Sequence, residues 1–346
     1  MFLTQGKCRR RIECTVRTVT VGFLCALVCT NSLAAECRPS PADLAWLDQT
    51  ATVWNKVRSG QLHLKPSKLP WMVVFDGRCV LNINPASPNF DGKTSTMRLG
   101  DEIATVSGRS HNGIVTLPDE AQIPARVISF AANYDGDRGS FFTAALPSVW
   151  AQDENLKAEP RLASLVRAVY VHELTHTNHR NFFARLTVIE KQLVGVDKFD
   201  DDIIQNRFGK DEAFRESYLA EIGSAQKAVS LSSRKERKVA ARNLLDSIRQ
   251  RRSRYYTGDN SKFAEIEDIF LTMEGVANWA GYRAALADGL SDADAQRLIR
   301  RSGKFWSQEE GILLFLLIDS LVHDWQKSAF SGERASVTKM LERAVR

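Results

Sequence analysis

Three of the chain's six histidines cluster at His172, His176 and His179, and the first two frame the stretch His172-Glu173-Leu174-Thr175-His176. Histidines four apart project from one face of a helix, so both imidazoles can reach one ion. Imidazole is a good ligand for zinc, and two on one helix are positioned before the ion arrives. Glu173 stands one residue round the helix. Its carboxylate can reach a water acidified by the ion rather than the ion itself, which makes it a candidate general base. The residues before the motif support a helix. Leu162, Leu165, Val166 and Val169 form a stripe that leads onto positions 172, 173 and 176, and Pro160 suits a first helical turn.

A catalytic zinc takes a third protein ligand and keeps a fourth position open. The segment from about 262 to 287 reads as a helix with an apolar face at Ile266, Phe270, Met273, Ala277 and Ala280, and Glu274 falls on that face. A carboxylate there is costly unless it is paired or holds a metal. Gly275 follows it in mid-helix, at about 1 kcal/mol against alanine; the close approach of another backbone would explain it. A buried ion pair with an arginine is the other account of Glu274. His179, one turn beyond the motif, is awkwardly placed for the same ion and reads as a surface residue or one that backs a ligand.

The motif at 172–176, followed downstream by Glu274-Gly275-Val276-Ala277-Asn278-Trp279, resembles the gluzincin-type zinc metallopeptidases of the thermolysin-like superfamily. The likeness covers two short motifs and their helices. It implies a zincin-like fold with the motif helix at the cleft, His172, His176 and Glu274 as zinc ligands, and Glu173 as the base in peptide-bond hydrolysis. Four residues after the third ligand, where such proteins carry an acidic residue that orients a zinc histidine, this chain has Asn278, whose amide oxygen can still accept a hydrogen bond. Phe182 occupies the place of the third histidine of the other large zincin class and excludes it. The 97 residues between His176 and Glu274 exceed the typical spacing, which keeps Glu190, Glu216 and Glu221 as rival ligands. The resemblance also implies an edge strand that aligns a peptide by backbone pairing, for which Ser140 to Leu146 is placed. An oxyanion donor is implied too, with Tyr282 and His323 as candidates.

The elements that must carry these residues divide at about residue 157. From 36 to 157 the chain reads as strand-rich: Trp71–Phe75 and Cys79–Ile83 flank an Asp76-Gly77 turn, Ile114–Leu117 is a short strand, and Arg126–Tyr134 and Ser140–Leu146 flank a turn at 135–139. Asp135 and Asp137 in that turn lack the acidic partner a calcium loop needs at its twelfth position. From 158 to 346 the pattern is helical, with helices at about 211–230, 233–255, 262–287 and 309–327, and Asp200-Asp201-Asp202 reads as an N-cap cluster. The fold class is α+β, with a cleft at the junction.

Composition is ordinary for a globular protein, with 44% hydrophobic and 25% charged residues, and excludes a disordered or multi-span membrane chain. Of the net charge of +6, residues 1–35 supply +4. Basic residues there precede an apolar run from Val19 to Val28 and small residues at Ser32, Ala34 and Ala35, the order of a secretory signal. An uncleaved anchor is the alternative, but the apolar run is short for a span. The expectation is an exported protein, periplasmic or secreted, with no stable membrane span after signal cleavage. The remaining cysteines, Cys37 and Cys79, are most simply one disulfide. Between Arg234 and Arg254 nine basic residues face only Glu236 and Asp246. This reads as a solvated face balanced by the acidic stretch near 197–216, with an anionic partner as the alternative. The expected partner is a peptide or protein substrate, without nucleic acid; the sequence fixes no oligomeric state.

Overall fold

The computed structural model describes residues 37–346 except 87–92, 135–138, 194, 197, 301–303 and 332–335. Residues 1–35, read above as a secretory signal, and the Asp135–Asp137 turn lie outside the described residues. A helix that the sequence reading did not anticipate comes first: α1 (Pro41–Lys56), with Pro41 in its first turn and the Ser40 hydroxyl accepting from the Asp43 amide at 3.1 Å. It buries Trp46, Leu47 and Trp54.

Eight strands follow among the described residues: β1 (Trp71–Phe75), β2 (Cys79–Ile83), β3 (Ser95–Leu99), β4 (Glu102–Ser110), β5 (Ile114–Thr116), β6 (Gln122–Pro124), β7 (Ser129–Tyr134) and β8 (Gly139–Ala145). Six form one mixed sheet in the order β3-β4-β2-β1-β8-β7, in which β1 and β8 are parallel and the other pairs antiparallel. Both expected hairpins are present. The expected edge strand is not at the edge: β8 lies between β1 and β7, with Phe141 opposite Trp71 on one side and Ala132 on the other. All seven residues of β8 are buried. An apolar run without alternation, Phe141-Phe142-Thr143-Ala144-Ala145, is the signature of a strand covered on both faces. The edge beside the helices is β7, whose burial is uneven along the strand. The Cys37–Cys79 disulfide is formed and ties the start of the described chain to β2; closing a loop of this length is worth about 3–4 kcal/mol by chain entropy.

The rest is helical: α2 (Pro147–Trp150), α3 (Leu162–His176), α4 (Arg180–Glu190), α5 (Ile203–Phe208), α6 (Glu212–Ser230), α7 (Arg234–Tyr255), α8 (Phe263–Ala287), α9 (Asp292–Arg300), α10 (Trp306–Leu321), α11 (Trp325–Ala329) and α12 (Val337–Val345). They stack outward from the sheet: α3 on β7 and β8, α8 on α3, α10 on α8, then α6 and α7. The Tyr170 hydroxyl of α3 donates to the carbonyls of Ala144 and Ala145, at 3.3 and 3.1 Å, and pins the helix to β8. No helix among the described residues is long and apolar enough to cross a membrane.

Every residue of α8 from Ile269 to Tyr282 is buried, so this helix is enclosed on all sides rather than on one face. Glycine permits that. A Cβ on Gly275 would stand 2.7 Å from the Gly311 carbonyl oxygen of α10 and run into the Phe315 ring, and one on Gly281 would stand 3.0 Å from the Ala168 carbonyl oxygen of α3. The close backbone approach anticipated for Gly275 is thus with α10. Replacing Gly275 with alanine should destabilise the protein by about 1–3 kcal/mol through overpacking. Urea unfolding curves check this; an unchanged midpoint would mean that the two helices can separate freely.

Candidate functional site

His172, Glu173 and His176 occupy the last turn of α3, and Glu274 the middle of α8. The packing of α8 on α3 brings them together. His172 Nε2 and His176 Nε2 stand 2.9 Å apart. Glu274 Oε2 is 3.5 Å from the first and Glu274 Oε1 3.3 Å from the second. Ligand atoms about 2.0–2.1 Å from a tetrahedral zinc lie about 3.3–3.4 Å from one another; the two histidine–carboxylate spacings match this, while the two imidazole nitrogens stand closer. Glu274 Oε2 is buried without a hydrogen-bond donor, and no lysine or arginine pairs with this carboxylate among the described residues. The buried ion pair considered as its alternative is therefore absent there. His172, Glu173 and His176 also present ligand atoms all within 4.8 Å of one another. Three acceptors converging in a buried space is an arrangement that a divalent cation satisfies.

Burial governs the electrostatics. Glu173 and Glu274 are each only 6% exposed. Burial, then the neighbouring Glu274 and Asp201, push Glu173 up to about 8, while the Ser129 side chain and the Ala131 backbone of β7 work the other way. Burial, then Asp202, push Glu274 up to about 8. Burial lowers His176 to about 3 and also lowers His172, the latter with help from His176. Both imidazoles are therefore neutral, the form that binds a metal.

Two neighbours back the histidines. Asn278, one turn after Glu274, places Oδ1 3.1 Å from His172 Nδ1, as its position anticipated. His179 Nδ1 lies 3.2 Å from His176 Nδ1. His179 is not a surface residue; it is 1% exposed.

The other sequence candidates fall elsewhere. Tyr282 donates its hydroxyl to Asp292 of α9. His323 is exposed in the turn after α10. No hydrogen bond or ring contact joins either to the four residues above, among the described residues. The rival ligands are also displaced: Glu221 is held by Arg251 at 2.8 Å, Glu216 is exposed, and Glu190 ends α4 half-buried. The Asp200–Asp202 run gives no conventional cap. Asp202 stands at the N-cap of α5 without a side-chain cap bond, and Asp200 Oδ1 accepts from the Asp202 amide at 3.1 Å. Instead Asp201 and Asp202 help raise the proton affinities of Glu173 and Glu274, a contribution that the local sequence pattern did not signal. Gln308 of α10 holds Asp201 through a 3.1 Å hydrogen bond, and Phe199 packs on Phe270 of α8.

Nine basic residues on α7 are mostly engaged within the fold. Arg251 joins Glu221 and Glu267, Arg252 joins Glu267 and Asp268, Arg249 joins Glu342, and Arg234 and Arg242 donate to the last carbonyls of α10 and α12. Their balance comes from these groups rather than from the stretch near 197–216. No protein-family model, curated protein or solved structure matches the chain.

The metal-free protein should lose stability as pH rises from about 6.5 to 8. The buried histidines are neutral in the fold and shed their remaining unfolded-state protons between pH 6.5 and 8, which offsets part of the loss, whereas Glu173 and Glu274 titrate near 8 folded and about 4.3 unfolded. The folded chain then binds more protons than the unfolded one, and each such group removes up to about 1.4 kcal/mol per pH unit. Denaturation in chelator at the two pH values checks this. Glu274→Gln should flatten the slope; an identical slope would place the titration elsewhere.

Proposed function

We propose that this chain is an exported zinc metallopeptidase of gluzincin type. The observation that carries the reading is the convergence of His172 Nε2, His176 Nε2 and the Glu274 carboxylate, with Glu173 buried alongside. These three side chains would hold the ion. When bound, zinc supplies a Lewis acid that polarises a carbonyl and acidifies water. The chain's own residues do the rest. Glu173 accepts a proton from the attacking water on its carboxylate and passes it to the leaving amine nitrogen. Its elevated proton affinity suits a group that must take up and release a proton near neutral pH. Asn278 orients His172 through the 3.1 Å contact at Nδ1. β7 ends the sheet beside α3, and an extended peptide aligned on that strand would pass close to Glu173. Export is supported by the disulfide and the order of residues in 1–35.

Residues 36–346 should bind one zinc per chain, and His176→Ala and Glu274→Ala should each lose it, as read by elemental analysis. Glu173→Gln should keep the zinc and lower hydrolysis of casein or a diverse peptide library by about 10²–10⁴-fold. Full turnover in Glu173→Gln would sink the mechanism. Bound zinc with no hydrolysis by the wild-type chain would make it a binding or scaffold protein that keeps the metal centre without activity.

A further inference from the structure

His179 lies in the corner between α3 and α4, where its amide donates to the His176 carbonyl at 2.9 Å and its own carbonyl receives the amides of Phe182 and Phe183. Its ring stacks on Phe330, with centroids 5.1 Å apart and planes at 17°, and meets the edge of Phe182 at 5.3 Å. The ring is thus clamped, 1% exposed, with Nδ1 held 3.2 Å from His176 Nδ1. His179 Nε2 is buried and has no hydrogen-bond partner.

Two facing ring nitrogens make a hydrogen bond only if one carries a proton and the other is bare. A histidine that binds a metal through Nε2 keeps its proton on Nδ1. His176 must therefore donate from Nδ1, and His179 must accept at Nδ1 and carry its own proton on Nε2. With the ion bound, the solitary buried Nε2 would carry that hydrogen, away from the site, and the facing nitrogen would be bare. On the other ligand, Asn278 Oδ1 accepts from His172 Nδ1 in the same way. Both ligand histidines are backed by a neutral acceptor.

We infer that His179 is a positioning residue: a neutral imidazole clamped by Phe182 and Phe330 fixes the Nδ1–H form of His176 and so aims its Nε2 at the metal. The inference rests on the metal-centre reading above. Metal binding selects one of two proton arrangements. In the metal-free chain the 2.9 Å contact between His172 Nε2 and His176 Nε2 needs a proton on one of them. If His176 holds it, His179 must supply the proton between the two Nδ1 atoms. Uptake of the ion then shifts the His179 proton from Nδ1 to Nε2.

The test pairs His179→Leu with His179→Asn. Asparagine Oδ1, like histidine Nδ1, is bonded to Cγ and accepts a hydrogen bond; leucine has the same shape without the acceptor. Zinc competition titrations should show affinity weakened about 10–100-fold in His179→Leu and largely restored in His179→Asn. Nitrogen NMR of the zinc-loaded wild type should show His179 protonated at Nε2. Wild-type zinc affinity in His179→Leu, equal losses in both variants, or a His179 proton on Nδ1 in the loaded protein would each overturn the inference while leaving the metal centre standing. A wild-type chain that takes up no zinc would overturn both.

Discussion

The structure depends on one close contact, that of α8 between α3 and α10. Gly281 lets α8 approach the backbone of α3, and Gly275 lets it approach Gly311 on α10. Without those approaches a helix carrying Phe270, Met273 and Trp279 would stand further off, and a glutamate side chain could not meet two imidazoles on the neighbouring helix. The same enclosure removes Glu274 from water. Its carboxyl is thereby brought among groups that are themselves desolvated. Positioning and electrostatic tuning are two results of one packing arrangement.

That arrangement is unfavourable in isolation. Glu173, Glu274, Asp201 and Asp202 all have proton affinities raised by burial and by neighbouring carboxylates. Polar groups gathered this way are expected at functional sites, where local rules yield to chemistry. The surrounding fold supplies the compensation. Tyr170 fixes α3 to the sheet, and the disulfide restrains the start of the described chain. On the far side of α8, Arg251 is 3% exposed, stacks on Tyr218 and joins Glu221 and Glu267, so these three buried charges are paired. Glu267 sits two turns before Glu274 on the same helix. The basic helix α7 thus anchors the helix that carries the third candidate ligand.

Much of this was legible in the sequence because it depends on local patterning. The two histidines four apart, the acid between them, and a glutamate followed by glycine on an apolar stretch identify a candidate site without coordinates. The hairpin strands Trp71–Phe75 and Cys79–Ile83, the disulfide, and the long helices α6, α7 and α8 also follow from periodicity and turn residues. Asn278 could be assigned a partner from its position one turn past Glu274.

Only the tertiary structure decided what depends on contacts between distant segments. Strand order is one such property: the run from Gly139 to Ala145 forms the middle of a pairing because β1, nearly seventy residues earlier, lies parallel to it. Which glutamate meets the two histidines is another. Glu216, Glu221 and Glu274 all lie on helices, but only Glu274 is carried to α3, since an arginine thirty residues on holds Glu221 and solvent holds Glu216. The burial of His179 required Phe330 from the far end of the chain, and the role of Asp201 required its hydrogen bond from α10. Sequence by itself determined which residues could do chemistry, since that is a matter of side-chain type and helical spacing. Which of them meet, and with what charge, was set by how three helices pack, because a carboxylate's neighbours and its exposure to water are properties of the folded chain alone.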